Sequence, residues 1–194
     1  TRTLEIAFPE YPENATPFEE EMRELASSSH QGQIHVSSLS GNSILPILFG
    51  GGSSTIIIET LLNHGGDPIF LSDFGGNPSY ERMHSAASAC FRHHLSHASL
   101  LLILGGKANN TMIDITFQAV SNALREHFEE YGPVYIPVVI GRGGPRLAKG
   151  MSVIKETLET LGLPYVIFGH DTPVTMVAEY AANLSKGFSA TRKK

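Results

Sequence analysis

The feature that most limits what this chain can fold into is a unit that recurs five times between Ile44 and about Leu184: a short apolar run, a polar or glycine-containing turn, and a helical pattern. The clearest copy lies at the centre. Residues 100–104 are uninterrupted Leu and Ile, Gly105-Gly106 break the run, and Lys107-Ala108-Asn109-Asn110-Thr111 lead into Met112, Ile115, Ala119, Ala123 and Phe128 at roughly helical spacing. An apolar run of this length without alternation predicts a strand buried on both faces. The glycine pair after it lets the backbone approach closely whatever lies beyond the strand end. The other copies predict strands over 44–49, 68–71, 134–140 and 164–168, turns over 50–54, 72–77, 141–144 and 169–172, and helices over 55–63, 78–94, 145–161 and 173–184. Strands and helices that alternate with short connections call for parallel strands joined by right-handed crossovers. The expected class is α/β: a doubly wound, mainly parallel five-stranded sheet with helices on both faces.

Composition narrows the functional classes. At 194 residues and 41% apolar, the chain has enough material for a core without disulfide or metal staples. A net charge of −5, with no basic stripe outside the last few residues, argues against nonspecific nucleic-acid binding. The single cysteine, Cys90, cannot form an internal disulfide and suits a reducing compartment. No apolar stretch approaches the roughly 20 residues that span a bilayer, and no signal-peptide pattern opens the chain, so the expected location is cytoplasmic. Residues 1–43 have a different texture: a short strand over 4–7, a proline-punctuated loop over 9–16, an acidic helix over 17–27, a strand over 34–36 and a turn over 39–43. They are expected to form a lead-in or linker packing on a main domain of 44–188, with 189–194 a flexible tail. A chain opening on Thr1 rather than Met suggests a piece of a longer polypeptide.

In doubly wound sheets, ligands bind beyond the carboxyl ends of the strands, where the strand order reverses. Gly50-Gly51-Gly52, Gly75-Gly76, Gly105-Gly106 and Gly143-Gly144 all fall at that edge. None fits a phosphate-binding P-loop, since no Gly-Lys-Ser/Thr follows, and 50–54 does not fit the dinucleotide fingerprint. Arg142, flanked by Gly141 and Gly143, carries a planar fork suited to a carboxylate or phosphate. A surface arginine paired with a neighbouring acid is the other reading these residues leave open. Thr111 followed by Asp114 resembles a capping box, which would set a helix N-terminus at the same rim. Lys107, Asn109 and Asn110 stand beside it, although loops and caps need polar residues in any case. His93 and His97 have the i, i+4 spacing of a metal pair but no Cys or carboxylate ligand near them in sequence, so a solvated helix end is expected and no metal site. His170, at the ligand edge, is a further candidate whose bland reading is a turn histidine.

Taken in order, Phe49-Gly50-Gly51-Gly52-Ser53-Ser54, His64-Gly65-Gly66, Phe74-Gly75-Gly76-Asn77-Pro78-Ser79, Leu104-Gly105-Gly106 with Asn109-Asn110-Thr111 and Thr116-Phe117, Arg142-Gly143-Gly144-Pro145 and Phe168-Gly169 resemble the citrate-binding domain of ATP-citrate lyase and the citryl-CoA synthetases. That domain is similar to the C-terminal domain of the succinyl-CoA synthetase β subunit, and the resemblance covers about residues 39–184. It implies a flavodoxin-like, succinyl-CoA synthetase-like fold. It also implies substrate contacts from Gly76, Asn109, Thr111 and Arg142, with Gly75, Gly106, Lys107, Asn110, His127 and Gly143 as further candidates, a tyrosine of the family's pocket falling near His127. The implied function is to position citrate for phosphorylation by a phosphohistidine and for thioester formation with CoA. The implied partners are an upstream ATP-grasp domain and a CoA-binding phosphohistidine domain within an oligomer. ATP, Mg and CoA would be used by those partners and no cofactor bound here, so that this chain alone would be inactive. The C-terminal domain of a succinyl-CoA or malate-CoA ligase β subunit, or a noncatalytic carboxylate-binding module, are the alternatives.

Overall fold

The computed structural model describes residues 15–192, so the strand expected over 4–7 and the last two residues of the tail lie outside the described residues. The elements, in chain order, are α1 (Pro17–Ser27), β1 (His35–Ser38), β2 (Ile44–Phe49), α2 (Gly51–Asn63), β3 (Phe70–Asp73), α3 (Tyr80–His94), β4 (Leu100–Lys107), α4 (Ile113–Tyr131), β5 (Val138–Gly143), α5 (Leu147–Thr160), β6 (Tyr165–Phe168) and α6 (Val174–Arg192). Strands β2, β4, β5 and β6 form a continuous parallel sheet in that order, while β1 and β3 pair antiparallel. The two parts are stitched together between β2 and β3. Ile69 N–H donates to Ile44 O at 2.9 Å and Phe74 N–H to Leu48 O at 2.9 Å. Between these bonds the Ser72 hydroxyl enters the ladder, accepting from Leu48 N–H at 3.1 Å and donating to Pro46 O at 2.8 Å. The spatial order is therefore β1-β3-β2-β4-β5-β6, and the winding direction reverses between β2 and β4.

Alternate side chains of each central strand enter opposite cores, as a period of two requires. Leu45, Ile47, Phe49, Leu101, Ile103, Val138 and Ile140 belong to one cluster, whereas Ile44, Leu48, Leu100, Leu102, Leu104 and Val139 belong to the other. Helices α1, α3, α4 and α5 cover the first face, and α2 and α6 the second. This two-sided burial explains why the strands read as unbroken apolar runs.

The lead-in is built into this architecture. Strand β1 extends the sheet as an antiparallel edge, and α1 buries Phe18 and Met22 in the larger core. Thr16 closes a capping box on α1: its hydroxyl accepts from Glu19 N–H at 3.2 Å, and Glu19 accepts from Thr16 N–H at 3.0 Å. The other oxygen of Glu19 accepts from Ser38 N–H at 3.2 Å, tying the helix to β1. Thr16→Ala is expected to cost about 1 kcal/mol of stability, measured by urea unfolding. At the other terminus, α6 continues past the expected end near residue 184. Ala181, Ala182 and Ser185 are buried, and Lys186 Nζ reaches the His64 carbonyl at the end of α2 at 2.9 Å.

His94 lies under α1, with the Phe18 ring edge-on at 4.5 Å and the His97 ring at 5.4 Å. Burial first, then the neighbouring His97 and His93, push its pKa down to about 4. The folded chain holds this ring neutral while an unfolded histidine titrates near 6.5. Between those values the unfolded state binds more protons, so stability falls as the solution is acidified through this window. Urea midpoints measured from pH 7 to pH 4.5 are expected to drop, and less steeply in a His94→Gln variant.

Candidate functional site

Where the winding reverses between β2 and β4, the strand ends leave a hollow of about 170 Å³. Its walls are Phe49 at the end of β2 with Gly50 and Ser53 after it, Gly75 and Gly76 after β3, Gly106 and Lys107 at the end of β4 with Ala108, Asn110 and Thr111 after it, and Arg142 from β5. The volume is below that of sites for drug-sized ligands and suits a small polar molecule. Two helices begin beside it. The N-cap of α2 is Gly50 at φ 94, a conformation open to glycine and strained for other residues, and no side chain caps the helix. The start of α4 follows Thr111 by two residues. The helix dipole at such termini favours negative charge.

Arg142 supplies the positive charge. It is only 3% exposed, it lies in β5 rather than in a turn, and its guanidinium stacks over the Phe49 ring at 4.5 Å. Nη1 donates to Gly106 O at 2.8 Å, while Nε has no hydrogen-bond partner among the described residues. Burial pushes its pKa down to about 10, with the charge of Asp73 pulling the other way. A buried cation this poorly satisfied is costly unless an anion completes it. Space for the fork exists because residue 105 is glycine: a Cβ there would lie 2.6 Å from Arg142 Nη1 and 2.7 Å from Phe49 O. The expected turn over 141–144 is instead largely strand. Beyond a bulge in β4, Lys107 pairs with Gly143, and Ala108 N–H donates to Gly143 O at 2.8 Å, which carries both strands further than their apolar runs.

Thr111 is buried and lines the hollow, but the capping box is not formed. The N-cap of α4 is Met112, without a side-chain cap. Help comes from elsewhere in the chain: Asn77 Oδ1 accepts from Met112 N–H at 3.1 Å, and Pro145 O accepts from Ile113 N–H at 3.1 Å. Asp114 turns to α5 instead, 3.2 Å from Lys149 Nζ and 3.5 Å from Arg146 Nη1. With a tertiary partner for the helix end, the Thr111 side chain is left to face the cavity.

Of the ten residues singled out in the sequence, seven meet in this hollow: Gly75, Gly76, Gly106, Lys107, Asn110, Thr111 and Arg142. Asn109 lies in the same loop but is exposed and is not part of the wall. Gly143 faces the far side of Arg142, where it borders a neighbouring space of about 210 Å³ with His170 and Thr172. His127 is not brought to the site. It is buried near the other end of α4, stacked on Tyr131 at 4.8 Å, about 20 Å along the helix from its start at about 1.5 Å per residue.

Three residues that shape the hollow were not singled out. Asp73 Oδ1 accepts from both Gly50 N–H at 2.8 Å and Gly75 N–H at 2.9 Å. Ser53 Oγ contacts Phe49 O at 2.9 Å and Gly50 O at 2.8 Å. Asn77, at φ 57, reaches α4 as described. The Asp73-Phe74-Gly75 sequence carries the signal of an Asx-turn, in which a carboxylate accepts from the amide two residues on. Nothing local signals the second bond, to Gly50.

The family described as ATP citrate lyase citrate-binding matches residues 13–184. ATP-citrate synthase of Mus musculus is 27% identical over 144 residues, which cover 71% of this chain and 13% of that protein. ATP-citrate synthase alpha chain protein 2 of Oryza sativa subsp. japonica is 26% identical over 144 residues, covering 71% of this chain and 34% of its own. The chain thus spans a minor part of the curated relatives it matches. ATP citrate lyase from Methanothrix soehngenii, solved in complex with citrate and coenzyme A, superposes with a TM-score of 0.79 at 24% identity, over 92% of this chain and 49% of that one. ATP citrate lyase from Methanosaeta concilii, in a mutant form with (3S)-citryl-CoA, gives 0.80 at 24% identity, over 91% and 46%. These structures share its fold, and the match over 13–184 assigns the family: this chain belongs to the ATP citrate lyase citrate-binding family.

Proposed function

We propose that the hollow between the ends of β2 and β4 binds citrate, and that this chain is the substrate-positioning part of an ATP-dependent citrate lyase. The observation that carries the reading is Arg142, a buried guanidinium whose Nε has no partner among the described residues, at the wall of a small cavity. Its fork takes one carboxylate of the substrate. Gly50, Gly75, Gly76 and Gly106 line the same cavity, and Lys107, Asn110 and Thr111 are the side chains available to the remaining carboxylates and the hydroxyl. The α2 and α4 N-termini add a field that favours a polyanion and, later, the charge of an acyl phosphate.

In such an enzyme the phosphoryl group passes from a histidine nitrogen to a citrate carboxylate oxygen, and the CoA thiol then displaces phosphate to form the thioester. ATP, Mg²⁺ and CoA are handled by partner modules in this reading, and the role of this chain is to hold citrate in one orientation. The family match and the fold of the citrate complex support it.

Calorimetry of the chain against citrate, isocitrate, succinate and malate tests the proposal, with citrate expected to bind most tightly and to raise the melting temperature by mass action. A preference for succinate or malate would move the reading to a CoA ligase of a smaller acid, and no binding by any of the four would remove it. Because Thr111 faces the cavity and does not cap α4, Thr111→Ala is expected to weaken citrate binding by about tenfold, the worth of roughly one charge-assisted hydrogen bond. Its urea midpoint should stay close to that of the parent chain.

A further inference from the structure

Asp73 presents a problem for an anion site. The residue is 6% exposed and ends β3, and its charge opposes that of the proposed ligand. One oxygen of its carboxylate nevertheless holds two turns at once. Oδ1 accepts from Gly50 N–H at 2.8 Å and from Gly75 N–H at 2.9 Å, and both glycines line the hollow. The turns are packed so closely that a Cβ on Gly75 would lie 3.2 Å from Gly50 N, and one on Gly51 would lie 3.0 Å from Asp73 Oδ2. The turn after β3 is also held from outside, where Gln33 N–H donates to Gly75 O at 2.8 Å. Two amides on one ionised oxygen are charge-assisted bonds, stronger than bonds to a neutral acceptor.

We infer that Asp73 is the positioning residue of the site, clamping the β2 and β3 turns into one wall. The inference rests on the reading of the hollow as a carboxylate site. The clamp and the charge can be separated. Asp73→Asn keeps the acceptor oxygen and the shape but removes the charge, so the wall stays in place and a polyanion meets less repulsion. Asp73→Ala removes both.

The experiment combines amide hydrogen exchange of Gly50 and Gly75 in the unliganded chain, read by NMR, with citrate calorimetry at low ionic strength. In Asp73→Ala the two amides exchange at least tenfold faster and citrate affinity falls at least tenfold. In Asp73→Asn, whose neutral oxygen still accepts from both amides but more weakly, exchange rises by less than in Asp73→Ala, and citrate binds at least as tightly as to the parent, because the repelling charge is gone. Unchanged exchange in Asp73→Ala would overturn the clamp, as would an Asp73→Asn chain that loses affinity. Should Asp73→Ala not fold, Asp73→Asn decides: faster exchange of both amides than in the parent supports the clamp, and parent-like exchange at both overturns it. If the parent chain binds no citrate, the citrate reading fails, while exchange in the unliganded variants still decides the clamp.

Discussion

Citrate affinity is expected to fall by at least about 30-fold in Arg142→Met, while the unliganded chain keeps or gains stability. Truncating one partner of a buried charge pair costs about 2–5 kcal/mol of binding, and each 1.4 kcal/mol or so is tenfold. Stability responds differently because the guanidinium is buried with one bond to Gly106 O and an unpartnered Nε. Replacing a poorly paired buried charge with an apolar side chain of similar length is often neutral or stabilising. Methionine can also keep contact with the Phe49 face that the guanidinium now covers at 4.5 Å. Arg142→Lys should retain part of the affinity, since an ammonium keeps the charge but not the fork. The combined result expected is a melting temperature that no longer rises with citrate in Arg142→Met, from a baseline at or above that of the parent. Parent-like citrate affinity in Arg142→Met would take Arg142 out of the site.

Gly105→Ala is expected to damage both the fold and the site. The added methyl would meet Arg142 Nη1 at 2.6 Å, Phe49 O at 2.7 Å and Phe49 Cβ at 2.9 Å. The arginine alone could move, but Phe49 O belongs to β2, whose residue Phe49 lies in register with Gly105. Relief therefore requires separating two central strands at their carboxyl ends. Overpacking of this kind costs about 1–3 kcal/mol, which lowers the melting temperature by roughly 2–4 °C per kcal/mol for a chain of this length. Displacement of the guanidinium adds a loss of citrate affinity on the scale of Arg142→Lys. Urea unfolding and calorimetry on the same sample separate the two effects. A variant with parent-like stability and affinity would show that the strand ends are looser than the geometry indicates.

Much of the scaffold was legible in the chain. The central strands were readable because residues such as Leu100, Leu101 and Leu102 enter opposite cores in alternation yet are all apolar. The convergence of glycine-bearing strand ends on one edge followed from the winding rule alone. Errors gathered at boundaries and caps. The helix of residues 51–63 starts on Gly51, not Thr55, since a glycine pair permits a helical first turn as readily as a loop. Helix α3 begins at Tyr80, with Ser79 as its cap accepting from Arg82 N–H, so the proline expected near its first position precedes the cap. The Thr111 to Asp114 spacing fits a capping box, but the partners that bind the start of α4 come from Asn77 and Pro145, and Asp114 has cations on α5 within reach.

By itself the sequence determined the alternation of strands and helices, the edge at which the candidate site lies, and the presence there of glycines and one arginine, because periodicity and backbone permissiveness are properties of neighbours along the chain. Only the tertiary structure decided that Arg142 is buried and incompletely satisfied, that Asn110 rather than Asn109 lines the cavity, that His127 lies far from it, and that Asp73 binds two turns together. Each of those outcomes depends on which donor meets which acceptor across separate elements, and that pairing is set when the strands come into register.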